Sequence, residues 1–119
     1  MKLPSLMVGL IVAPVLSCFG IAQLAQANTE CGKATYYDQG SVTANGEAFN
    51  PSAMTVAHPW LPFGTWVTVI DQYTGHSVEA RVNDRGPWVG GYILDMTPIV
   101  MNVLDPNRSS DIRDVCIYW

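Results

Sequence analysis

The sequence predicts a mainly β domain, a small barrel of short strands with one short helix. Three observations carry this. Residues 65–70 and 76–83 alternate apolar and polar around Tyr73-Thr74-Gly75, the pattern of two half-buried strands joined by a turn. Only Thr97-Pro98 gives a good helix start, with Thr as N-cap and Pro at the first helical position. Turn residues punctuate the rest of the chain at short intervals, and closing such strands into a barrel removes exposed sheet edges.

The elements follow in order. Met1-Lys2 gives a positive start, Leu6 to Ala22 is almost wholly apolar, and Ala25-Gln26-Ala27 has the small-x-small pattern of a cleavage site. Residues 1–27 therefore read as a secretory signal peptide, and 28–119 as one exported domain. A membrane span fits less well, because a span needs about 20 uninterrupted apolar residues and Pro14 and Gly20 break this run. No stable membrane insertion is expected after cleavage. Val15-Leu16-Ser17-Cys18 resembles a bacterial lipoprotein box, so acylation of Cys18 is the alternative. Asn28 to Glu30 reads as a polar leader, and Lys33 to Tyr37 as a strand rich in β-formers. Asp38 to Asn50 is loop and contains Glu47. Met54 to Ala57 is a short apolar strand ending at His58, and Pro59 to Gly64 is a loop carrying Trp60 and Phe63. After the predicted hairpin, Gly86-Pro87 breaks the strand just beyond Asp84. Tyr92 to Asp95 is a further strand, Thr97 to Leu104 the helix, and Arg113 to Trp119 the closing strand.

Composition narrows the function. The 119 residues carry a formal charge of −4, and loss of Lys2 with the leader takes it to −5. An acidic chain with no basic run is a poor nucleic-acid ligand. Without Cys18, the exported domain keeps Cys31 and Cys116, one near each end. In an oxidising compartment these read as a disulfide, the alternative being two buried free thiols. Two histidines and scattered acids form no spaced ligand cluster, so no metal or cofactor is expected.

The densest chemistry lies in Arg81-Val82-Asn83-Asp84-Arg85-Gly86-Pro87. It places a carboxylate where a rigid strand opens into a loop. With Gly32-Lys33-Ala34-Thr35-Tyr36-Tyr37, Thr43-Ala44-Asn45-Gly46-Glu47-Ala48-Phe49, Thr55-Val56-Ala57-His58, Leu61-Pro62-Phe63-Gly64-Thr65 and Ile93-Leu94-Asp95, the whole exported domain resembles the rare lipoprotein A family. The resemblance implies a six-stranded double-psi β-barrel and lytic transglycosylase action on peptidoglycan glycan strands stripped of their peptides. It implies Asp84 as the catalytic acid, with Glu47 and His58 as supporting polar residues. Asp95 matches the aspartate after the next strand. Thr97-Pro98-Ile99-Val100-Met101 is bulkier than the small-residue helix of many members.

Asp84 must hold a proton near neutral pH to act as an acid, which calls for burial or a nearby like charge. Glu47 reads as a source of that charge or as a contact for a sugar hydroxyl, its bland reading being a solvated loop charge, and Arg81 is expected to turn elsewhere. The bland reading of Asp84 is an ion pair with Arg85. Arg85, Tyr37, Trp88 and Asp95 are the expected substrate contacts, Trp88 as a sugar platform, while Trp66 is expected to pack. The chain is expected to work as a monomer in the periplasm or cell wall. Two alternatives share the barrel: an expansin-like binding module that cuts nothing, and an inverting hydrolase if Glu47 and Asp84 flank the bond with room for water.

Overall fold

The computed structural model describes residues 28–119. Six strands close into a barrel: β1 (Thr29–Tyr36), β2 (Thr55–Ala57), β3 (Trp66–Asp71), β4 (Ser77–Asp84), β5 (Tyr92–Met96) and β6 (Arg113–Tyr118), in the spatial order β1-β5-β2-β4-β3-β6. Two neighbouring pairs run parallel, β1 with β5 and β2 with β4, and the other four contacts are antiparallel. This is the mostly β closed barrel that the sequence predicts, with one short helix among the described residues, α1 (Pro98–Leu104).

The alternation read from the sequence is the alternation of faces. Val67 and Val69 of β3, Ala80 and Val82 of β4, and Val115 and Ile117 of β6 point inward and are buried. Gly32 sits where β1 crosses β5, and a side-chain carbon there would lie 2.7 Å from Ile93 Cγ2 and 3.0 Å from the Gly91 carbonyl. Only glycine fits that approach without movement.

Strand β1 begins earlier than predicted. Thr29 and Glu30 are strand rather than polar leader, paired with Tyr118 and Ile117. The Asn28 and Trp119 amides exchange hydrogen bonds of 3.0 and 3.1 Å beyond them. Cys31 stands opposite Cys116 in this ladder, and the two form a disulfide across 85 residues of sequence. The predicted leader, its cleavage site and Cys18 lie outside the described residues. Among the described residues no helix is long and apolar enough to cross a membrane.

Helix α1 departs from its predicted cap. Thr97 occupies the N-cap position, but its hydroxyl donates to the Ala53 carbonyl at 2.7 Å and makes no cap bond. Burial of Val100, Met101 and Leu104 against the barrel holds the helix instead. Its end is tied by an ion network that the sequence did not announce. Arg113 donates from Nε to Asp71 Oδ2 at 2.7 Å and from Nη2 to Asp71 Oδ1 at 3.1 Å, with Nη1 3.1 Å from Asp105 Oδ2. All three residues are buried, so the charges satisfy one another.

The disulfide closes a long loop, which constrains the unfolded chain more than the folded one. Replacing Cys116 with Ser is expected to lower unfolding free energy by about 2–5 kcal/mol, read by urea titration of the oxidised protein. Equal midpoints for variant and wild type would contradict this.

Candidate active site

The site is set by register. Strand β2 lies between β4 and β5, and Ala57 pairs with Asp84 on one side and Asp95 on the other. Neighbouring strands stand about 4.8 Å apart, so the two aspartates flank one small residue at a backbone separation of roughly two strand spacings. Ala57 is 2% exposed, and its methyl group adds almost no bulk between them. Asp84 ends β4, where the inward positions of Ala80 and Val82 run out at the barrel mouth. Tyr37 follows β1 and is fixed by its amide, which donates to the Met96 carbonyl at 2.9 Å.

These placements bring Tyr37, Asp84 and Asp95 together. Asp84 accepts three hydrogen bonds. The amides of Ala44 and Arg85 each donate to Oδ1 at 2.9 Å, and the Tyr37 hydroxyl donates to Oδ2 at 3.3 Å. Asp95 is also half-buried, and its carboxyl receives no hydrogen bond from any described residue. Burial, with the Asp84 charge added, pushes the Asp95 carboxyl above the usual carboxylate range. Burial and the charge of Asp84, its hydrogen bond, and the charge of Asp95 likewise raise the Tyr37 phenol, so it stays protonated as a donor.

Glu47 lies in a different cluster from the one expected. Its carboxylate takes Arg81 in bidentate fashion at 2.8 and 3.0 Å, and both Asn83 Nδ2 and Asn45 Nδ2 donate to it at 3.0 Å. Hydrogen bonds from Arg81, then Asn83 and Asn45, hold Glu47 down to about 2. The like charge beside Asp84 therefore comes from Asp95, not Glu47. What Glu47 does is pin a loop. The Asn45 amide donates to the Asn83 carbonyl at 3.2 Å, and the preceding residue is Ala44, whose amide meets Asp84. Arg81 turns to Glu47, and among the described residues Asp84 has no cation partner.

His58 and Arg85 also differ from expectation. The His58 ring is wholly buried, and Nδ1 accepts the amides of Trp60 and Leu61, both at 3.1 Å. That leaves the ring hydrogen on Nε2, 2.8 Å from Glu30 Oε1. Both nitrogens are occupied, and neither faces Asp84. The Arg85 guanidinium donates to the carbonyls of Leu61 at 2.8 Å and His58 at 3.3 Å and lies 3.9 Å over the Phe63 ring. It braces the loop after β2, and it forms no ion pair with Asp84.

Among the aromatics, Trp88 is beside the cleft. It is 74% exposed, and a side-chain carbon at Gly86 would stand 3.6 Å from its Nε1 and 3.8 Å from Asp95 Oδ2. Gly86, at φ +112°, keeps that corner open. Trp66 does not pack inside: it starts β3 opposite Arg81, on the outer face, and is exposed. Trp60 makes edge-to-face contacts with Trp119 and His58. Sequence reasoning missed three contributors, the Ala44 amide, the spacer Ala57 and the Asn45–Asn83 support. Only the Thr43–Glu47 block as a whole signalled that this loop mattered.

Comparison with known proteins matches residues 29–116 to the family described as lytic transglycolase. A probable endolytic peptidoglycan transglycosylase of Synechocystis is 40% identical over 97 residues, covering 71% of this chain and 30% of that protein. The chain thus spans less than a third of this relative's length. Among solved structures, a Streptomyces papain inhibitor aligns with a TM-score of 0.62 at 22% identity, over 78% of this chain and 94% of its own. An expansin of Clavibacter michiganensis aligns at 0.60 and 20% identity, over 76% of this chain and 49% of its own. At such identities the two structures show the shared barrel alone.

The Glu47 cluster generates a pH signature. A carboxyl held at about 2 in the fold, against an ordinary value of 4.5, adds stability that is present above 4.5. That stability drains away as pH falls from there toward 2. Replacing Glu47 with Gln is expected to lower the melting temperature at neutral pH and to flatten its fall over that acid window. Parallel melting curves of variant and wild type across the window would contradict the assignment.

Proposed function

Because this chain belongs to the lytic transglycolase family, we propose that it is an exported enzyme that cuts the glycan strands of peptidoglycan as a lytic transglycosylase. The bond cut is the one from N-acetylmuramic acid to N-acetylglucosamine, and the product is a 1,6-anhydromuramic end. The observation that carries this reading is the pair of half-buried aspartates with one phenol at the mouth of the barrel, beside an exposed tryptophan. A lytic transglycosylase needs a carboxyl group that first gives a proton to the leaving oxygen. The same group then takes a proton from the sugar's own 6-hydroxyl as that oxygen closes on the anomeric carbon. No water is consumed, so the cleft needs no second carboxylate spaced to hold one.

In this reading Asp84 stands at the centre of the cleft, oriented by Tyr37 and two amides. Trp88 offers an indole face to a sugar ring next to it. Glu47, His58 and Arg85 act at one remove, by holding the loops that shape the cleft. The protein would work as a monomer, with no metal or cofactor, in the periplasm or cell wall, after removal of residues 1–27 or on a lipid carried by Cys18.

Digestion of purified, peptide-stripped glycan strands, read by mass spectrometry, tests the proposal. Wild-type protein is expected to produce anhydromuramic ends, and Asp84→Asn to produce them at least ~100-fold more slowly. Trp88→Ala is expected to raise the half-saturating glycan concentration roughly threefold to tenfold, as loss of one stacking contact would. Ordinary reducing ends would instead indicate a hydrolase. Glycan binding without any new ends would indicate an expansin-like module.

A further inference from the structure

The two aspartates at the barrel mouth have unlike surroundings, and a proton shared between them would not be shared equally. Asp84 is surrounded by donors: two amides, which can only donate, and the Tyr37 hydroxyl. Asp95 has neither donor nor cation among the described residues. The titratable groups that face it are the Asp84 carboxylate from β4 and the Tyr37 phenol from the end of β1; β2 presents the methyl of Ala57, and β1 presents Thr35, whose hydroxyl donates to the Tyr36 carbonyl at 3.5 Å. The nearest guanidinium groups in sequence are spent elsewhere, Arg81 on Glu47 and Arg85 on two carbonyls. Donors stabilise a charged carboxylate, and burial without donors disfavours one. When two carboxyl groups interact in one cleft, the one with fewer donors holds the proton more strongly.

Resting on the cleavage proposed above, we infer that Asp95 carries the transferable proton and Asp84 the standing negative charge. The step then balances. The Asp95 carboxyl gives its proton to the glycosidic oxygen as the bond from the anomeric carbon to that oxygen breaks. Positive charge grows on the anomeric carbon and ring oxygen, and the Asp84 carboxylate, fixed by its three donors, stabilises it without reorganising. Asp95, now a carboxylate, takes the 6-hydroxyl proton while that oxygen bonds to the anomeric carbon. The enzyme ends with Asp95 protonated again and no water used. Asp95 and Asp84 thus divide the work that the family resemblance gives to Asp84 alone. The burial that pushes the Asp95 carboxyl up supports the same division.

Carbon-13 NMR of the full chain, carrying aspartate labelled at the side-chain carboxyl, reads the two groups directly. On titration Asp95 is expected to change state at a higher pH than Asp84. In Asp84→Asn the Asp95 midpoint is expected to fall, because the like charge is gone. In glycan digestion, Asp95→Asn is expected to abolish anhydro ends at every pH. Asp84→Asn is expected to leave a residue of activity whose alkaline limit has moved to lower pH. The division is overturned if Asp84 titrates above Asp95, if the two titrate together, or if Asp84→Asn leaves the Asp95 midpoint in place. A wild-type protein that releases no anhydro ends while Asp95 still titrates above Asp84 would sink the transglycosylase reading and leave the proton assignment standing.

Discussion

The cleft depends on a strand of three residues paired along both edges, Thr55, Val56 and Ala57 with β4, and Val56 and Ala57 with β5. Strand β2 runs parallel to β4 and antiparallel to β5, so β4 and β5 point in opposite directions. Their C-terminal ends should lie at opposite ends of the barrel. They meet because β2 overlaps β5 over only two pairs, Val56 with Met96 and Ala57 with Asp95. Sliding that overlap by two residues would carry Asp95 almost 7 Å along the strand and away from Asp84. The register is guarded from both sides. Val56 is wholly buried, so a one-residue slip would turn it out of the core. The Thr97 hydroxyl ties the residue after β5 to Ala53, just before β2.

The polar residues around this frame are arranged as supports. Glu47 is saturated by four donors, His58 by two amides and a glutamate, and Arg85 by two carbonyls and a ring. Each joins segments far apart in sequence: Glu47 the 43–47 loop to β4, His58 the start of the 58–61 loop to β1, and Arg85 the end of β4 to that same loop. A loop positioned by one contact would wander over a volume larger than a hydrogen bond tolerates. A loop held by several delivers an amide such as that of Ala44 to a fixed point.

The sequence made the strands of the β3–β4 hairpin legible because their signal is local. Trp66 to Asp71 and Ser77 to Asp84 announce both their period and their turn. The start of β1 was illegible for the opposite reason. Thr29 and Glu30 are strand only because Tyr118 and Ile117, at the other end of the chain, lie beside them. The Arg113–Asp71–Asp105 network was hidden in the same way, since its members are spread along the chain. At the site, residue types were readable and directions were not. Family resemblance put Asp84, Glu47 and His58 in one set, but nothing local says that Glu47 turns to Arg81 or that the His58 ring faces inward to Glu30. Nor does it say that Asp95, which the resemblance placed among the substrate contacts, takes the role of neighbouring charge that reading gave to Glu47.

The sorting of these residues has a chemical logic. A group that holds a loop works best when every lone pair and proton is engaged, because each free one is a route to another rotamer. A group that must gain and lose a proton needs the reverse, since every donor fixed on a carboxylate resists its protonation. Donor count therefore separates the two kinds of acid in this barrel. Glu47 accepts four hydrogen bonds and is held charged down to about pH 2; the Asp95 carboxyl accepts none from the described residues and is pushed toward its neutral form. Asp84, with three, falls between a support and a reactant. In the proposed division of labour, that intermediate place suits a fixed charge facing a cationic transition state. One of its three donors is a phenol at 3.3 Å, raised by burial and by the charge it faces, and the other two are backbone amides at 2.9 Å that keep Asp84 in position.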